Sequence, residues 1–178
     1  MIEFIDMPMF KNRIVLAFAL LSTIAFSACS SAPKTPEEFG QAVFEAVKSH
    51  NEKDFRALYL TEDEFNDIID RSNLSEEGKN QERGRAIGLD KSMEKLAIES
   101  FEGLERLSNN YSIDWSKANF KKVDVYRAEH MGIQGAHFMD VYFDYNGFEY
   151  ALHIYDCWET ENGWKTFKEV SLSAVAKN

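Results

Sequence analysis

Four residues within one short stretch combine acid–base chemistry with a usable spacing: His137, Asp140, His153 and Asp156. Between them stands Asn146-Gly147, a two-residue hairpin signal flanked by apolar and aromatic runs at 137–145 and 148–159. A two-residue turn fixes register. Tyr145 then pairs with Phe148, Phe143 with Tyr150, Val141 with Leu152 and Met139 with Ile154, and the apolar character of every pair marks the core face. The same register puts Asp140 across from His153 on the other face, and His137 across from Asp156 at the far end of the core face. A carboxylate beside an imidazole raises its pKa and fixes its tautomer, as a general base or proton shuttle requires. Opposite charges across a ladder are also ordinary sheet stabilisers, worth roughly 0.2–1 kcal/mol. His137 and Asp156 are therefore catalytic candidates that compete with a structural reading.

Aromatic rings are the second candidate. In this register Phe138, Tyr142, Tyr155 and Phe167 crowd the face opposite the core beside Cys157, and Tyr126 can join from the preceding strand. A sheet with no helices left for its second face does not normally leave so many rings in water. Tyr142 and Tyr155 are accordingly expected in an interaction surface, for a protein partner or for a homodimer made sheet to sheet. Cys157 reads as a buried small hydrophobe. No Cys/His spacing suits zinc. The acidic run Glu62-Asp63-Glu64 suits the first turn of a helix better than a calcium loop. No cofactor and no metal is implied.

The positioning elements are legible in outline. Thr35, Pro36 and Glu38 form a capping box with proline at the first helical position, and an apolar face of Phe39, Val43, Ala46 and Val47 follows. Asn51 opens a second short helix, and Thr61 with Glu64 repeats the box and starts a third. Residues 75–108 read as one long helix with a break somewhere in 78–88. From Phe120 the period changes from 3.6 to 2. Strands are expected at 120–129, on either side of Asn146-Gly147, and at 164–174. A three-residue turn ending on a left-handed Gly163 would set Ile154 opposite Val170 and Leu152 opposite Leu172. The plan is α+β: helices first, then a curved antiparallel sheet of about four strands whose apolar face they cover.

The other end of the chain carries an address. Lys11 and Arg13 precede an apolar run at 14–26, which leads through Ser27-Ala28 to Cys29. That run, about 13 residues, falls short of the roughly 20 needed to span a bilayer and fits the apolar region of a cleaved signal. Phe26-Ser27-Ala28-Cys29 resembles a bacterial lipobox, with Phe26 where the family usually has Leu. The resemblance implies a signal peptide at 1–28, acylation of Cys29, a lipidated tether at 29–34 and a single domain at 35–178. It places the protein in the bacterial cell envelope, lipid-anchored, with the outer membrane favoured because Ser30 is not aspartate. Translation from Met7 or Met9 would remove both Glu3 and Asp6, leaving a basic start. The whole chain has a net charge of −10. Such an acidic domain lacks the basic footprint that nucleic acid requires and relies on the lipid for membrane attachment.

The helical order, the Asn51-Glu52-Lys53-Asp54-Phe55 turn and the closing Gly163-Trp164 strand resemble the NTF2-like (cystatin-like) superfamily over 35–172, above all small lipoproteins with a lumazine-binding-type domain. The resemblance implies a concave pocket between sheet and helices. In its enzymes that pocket holds Asp, His and Tyr, for which His137, Asp156, Tyr145 and Tyr150 are the counterparts here. The expected function is a non-enzymatic module that binds a small ligand or a protein. The alternative is an enzyme of isomerase or dehydratase type using the His137–Asp156 pair.

Overall fold

The computed structural model describes residues 32–127, 133 and 135–176. Five helices come first: α1 (Pro36–Lys48), α2 (Glu52–Arg56), α3 (Glu62–Arg71), α4 (Glu76–Ala86) and α5 (Leu89–Asn110). A 3-10 turn at Trp115–Lys117 leads into β1 (Asn119–Arg127), β2 (His137–Tyr145), β3 (Phe148–Thr160), β4 (Gly163–Thr166) and β5 (Val170–Ala174). The fold is α+β with an antiparallel sheet. Among the described residues no helix is long and apolar enough to cross a membrane.

Local chemistry sets the helix boundaries. Thr35 Oγ1 accepts from the Glu38 N–H at 3.1 Å, while Glu38 Oε2 accepts from the N–H of Lys34, one residue before the expected cap, at 2.7 Å. At Thr61 and Glu64 the box closes in both directions. The long helix expected at 75–108 breaks at Gly88, whose φ of 79° is left-handed backbone that favours glycine. From α5, Leu89, Met93, Ala97, Phe101 and Leu104 are buried, the face that the apolar spacing marks.

The sheet runs β1-β2-β3-β4, and β5 pairs with the first half of β3. All four expected apolar pairs of the hairpin are present, as is Asp140 opposite His153. Ile154 faces Val170 and Leu172 faces Leu152, again as expected. The sheet has five strands rather than about four because the final strand is interrupted. The β3–β4 turn has two residues, with Thr160 opposite Gly163, not the expected three. Thr160 Oγ1 donates to Gly163 O at 2.7 Å and accepts from the Asn162 N–H at 3.1 Å, holding the tighter turn. The missing residue is restored at 167–169, where three residues lie across from two of β3.

A second irregularity lies directly opposite. Tyr155 and Asp156 of β3 both stand across from Phe138, a β-bulge with Asp156 at a φ of 48°. The bulge slides the end of the ladder by one position, so His137 faces Cys157 and not Asp156. Asp156, Cys157 and Trp158 are then buried in succession instead of alternating. Phe167, expected on the outer face, turns inward and stacks on Phe65 of α3, ring centroids 5.1 Å apart. Cys157 is fully buried, as expected of a small hydrophobe. Both corrections have one cause: the extra residue re-aims the end of the sheet, whose rings pack on α3.

Candidate functional site

The end of the sheet that bends toward α3 holds a cleft of about 440 Å³. Ile68 and Arg71 of α3, Ser72 and Asn73 beyond it, Gly135 and His137 before and at the start of β2, Trp158 and Glu159 of β3, Trp164 of β4 and Pro36 of α1 line it. Glu64 holds the two sides together. Its Oε1 accepts from Asn162 Nδ2 at 3.2 Å and lies 3.8 Å from Lys165 Nζ, while its Oε2 accepts from the Thr61 N–H at 3.0 Å. One buried carboxylate thus caps α3 and fastens it to the β3–β4 hairpin, fixing the side of Arg71 against the side of the two tryptophans.

Half of the lining is polar or charged: Arg71, Ser72, Asn73, His137 and Glu159. His137 Nδ1 lies 2.9 Å from Gly135 O. A carbonyl only accepts, so Nδ1 carries hydrogen there, and in the neutral ring Nε2 is left as an acceptor. The His137 ring meets Trp164 edge-on at 5.3 Å. Trp158 is buried, and its indole N–H has no acceptor among the described residues. A buried donor in that condition costs roughly 1–3 kcal/mol. Arg71, exposed at the rim, donates from Nη2 to Glu159 O at 3.4 Å.

The structure does not bring the four pocket candidates together. His137 begins β2 and Tyr145 ends it. Tyr150 lies at the Tyr145 end, buried and stacked on Phe143 at 5.5 Å, with Tyr111 edge-on at 5.6 Å. Asp156 is buried in the bulge and does not line the cleft. Trp158, Trp164 and Arg71 are the cleft residues that sequence reasoning missed. The last turn of the helix capped at Thr61, rather than the hairpin, carries the cation.

The outer face carries a second arrangement. His153 Nδ1 lies 2.6 Å from Asp140 Oδ1, and its Nε2 lies 2.7 Å from Ser173 Oγ. Ser173 was missed, although Ser171 and Ser173 alternating with Val170 and Leu172 signalled a polar face on that strand. Tyr126 stacks on Phe138 at 4.5 Å, and Tyr155 lies 6.5 Å from both Phe138 and His153. The expected aromatic strip is therefore Tyr126, Phe138 and Tyr155. Tyr142 joins it through its contact with Tyr126 and lies under Lys122, whose Nζ is 4.7 Å from the ring centre. Burial, reinforced by the negative charge of Asp140, pushes the Tyr142 phenol up to about 12.

Two other groups are accounted for structurally. Burial, with Asp156 nearby, pushes the Cys157 thiol far above its usual range. Glu62, in the acidic run, accepts from the Gly88 N–H at 2.9 Å and joins the starts of α3 and α5. Among the described residues no three His, Cys, Asp or Glu side chains are grouped to hold a metal ion. His130 and Cys29 lie outside the described residues. The chain matches no family model, no curated protein and no solved structure.

Proposed function

We propose that this chain is a small-ligand-binding domain of the bacterial cell envelope, held there by a lipid on Cys29. The observation that carries the binding is the cleft itself: two tryptophans, an edge-on histidine with an acceptor nitrogen, and an arginine at the rim. Aromatic walls favour a flat ring, while the guanidinium favours an acceptor or anionic group on it. The NTF2-like reading is consistent with the order of helices and strands and adds no residue to the cleft.

Pro33 O accepts from the Trp164 N–H at 2.9 Å, so the first residues of the domain run beside the cleft.

Anilinonaphthalene sulfonate, a flat aromatic anion, is a suitable first probe. We expect one-to-one binding with quenching of tryptophan emission, weakened at least about tenfold by Arg71→Ala or Trp164→Ala. Binding indifferent to both substitutions contradicts the proposal. Proton transfer by His137 is a second reading, supported by an Nε2 with no partner among the described residues and not by Asp156. Under that reading turnover exists and His137→Gln abolishes it; under the first no turnover accompanies binding, and His137→Gln only weakens the binding.

A further inference from the structure

We propose that Ser173 is a nucleophile for acyl transfer from uncharged esters, activated by His153 with Asp140 as its orienting carboxylate. This site lies on the outer face of the sheet and is independent of the cleft. Three strands build it: Asp140 on β2, His153 on the central β3 and Ser173 on β5. Its two links, 2.6 and 2.7 Å, are the contacts a nucleophile, base and orienting carboxylate require. The Asp140 carboxylate accepts, so Nδ1 carries hydrogen, and in the neutral ring Nε2 accepts from the Ser173 hydroxyl. The His153 and Asp140 side chains retain 27% and 17% exposure, which leaves the base reachable but held.

The ladder also supplies a donor for the oxyanion. Val175 N–H donates to Glu149 O at 2.8 Å and Val170 N–H to Ser100 Oγ at 2.8 Å, away from β3. Backbone N–H groups alternate along a strand, so odd-numbered residues of β5 face β3 and even-numbered ones face outward. The Ala174 N–H therefore points off the outer edge of β5, an edge with no strand paired to it among the described residues. Where a nucleophilic serine stands on a sharp strand-to-helix turn, the residue after it supplies one oxyanion donor, and Ala174 holds that sequence position here. Tyr155, 44% exposed beside His153, offers a flat apolar surface to the ester. Asp140 and Asp124, opposite each other across β1 and β2, put negative charge at this site and disfavour anionic substrates, hence the uncharged class.

The reaction closes on itself. Ser173 Oγ attacks the ester carbonyl carbon as its proton passes to His153 Nε2. The bond to the leaving oxygen breaks, and that oxygen takes the proton from His153 and departs as an alcohol. Water, deprotonated by the same imidazole, attacks the acyl-serine, which releases the carboxylic acid and restores Ser173.

Diisopropyl fluorophosphate tests the nucleophile directly, since Oγ displaces fluoride from phosphorus without any fitted substrate. Peptide mapping of the treated full chain is expected to find the adduct on Ser173. Ser173→Ala should show none there, and Ser171→Ala should label as the parent does. His153→Gln and Asp140→Asn should each slow labelling at least about 100-fold, with circular dichroism confirming that each remains folded. Two such variants keep the test decisive if one fails to fold. An unlabelled Ser173, or a rate unchanged in the folded His153 or Asp140 variant, overturns the proposal and leaves the three side chains as a staple across strands.

Discussion

Asp140 Oδ1 and His153 Nδ1 meet 2.6 Å apart across the β2–β3 ladder, at the one position on the outer face where a carboxylate stands directly opposite an imidazole. Their contact ties two strands on the side that no core holds. A double-mutant cycle with Asp140→Ala and His153→Ala should give a coupling of about 0.5–1.5 kcal/mol from urea unfolding. Additive effects would show that the contact does not contribute in solution.

Gly163 is the tightest backbone contact at the cleft. A Cβ there would lie 2.4 Å from Pro33 O, and its φ of 94° is itself unfavourable to any side chain. Gly163→Ala should destabilise the domain by about 2–3 kcal/mol, combining left-handed strain with displacement of the incoming strand. Chemical denaturation measures this, and a loss under about 0.5 kcal/mol would contradict the close approach.

Tyr142 makes stability depend on alkaline pH. Its phenol is pushed from the ordinary 10.0 to about 12. The folded state then keeps a proton that the unfolded state releases. The resulting stabilisation is full below the unfolded value and is lost as pH rises through the folded one. Absorbance titration should show a tyrosine ionising near pH 12, distinct from Tyr59, whose phenol burial pushes higher still; it should be absent in Tyr142→Phe and move downward in Asp140→Asn, which removes a negative charge from its surroundings. An unchanged titration in Tyr142→Phe would assign that phenol elsewhere.

The hairpin was legible because Asn146-Gly147 leaves one register in which every core pair is apolar, and the capping residues Thr35, Asn51, Thr61 and Ser75 placed the starts of four helices. The bulge was not legible. Nothing in Tyr155-Asp156 distinguishes one residue too many from continued alternation, since burial of Asp156 and Cys157 together comes from packing against α3 and β4. That single residue separated His137 from Asp156 and moved Phe167 from the outer face to Phe65. The cleft depended on it too, because Trp158 and Trp164 reach Arg71 only through the bent end of the sheet and the Glu64 tie, a contact 98 residues long in sequence at Asn162. Ser173 was within reach of the pattern, one step diagonal from His153 once Leu172 had been set opposite Leu152.

The proposed attachment rests on Cys29. The protein extracted from its native envelope should begin at an acylated Cys29 by intact mass and partition into a detergent phase. Cys29→Ser should remain aqueous with its domain folded, since a soluble acidic domain has no other strong hold on anionic lipid. Detergent partition of the Cys29→Ser chain would contradict this attachment.

Native mass spectrometry of the full chain, extracted from its own envelope in mild detergent, tests small-ligand binding most directly. The account predicts one small non-protein molecule retained per chain and lost from Arg71→Ala and Trp164→Ala while the fold persists. A chain that carries no such molecule, or that carries it undiminished when both cleft residues are replaced, would contradict it.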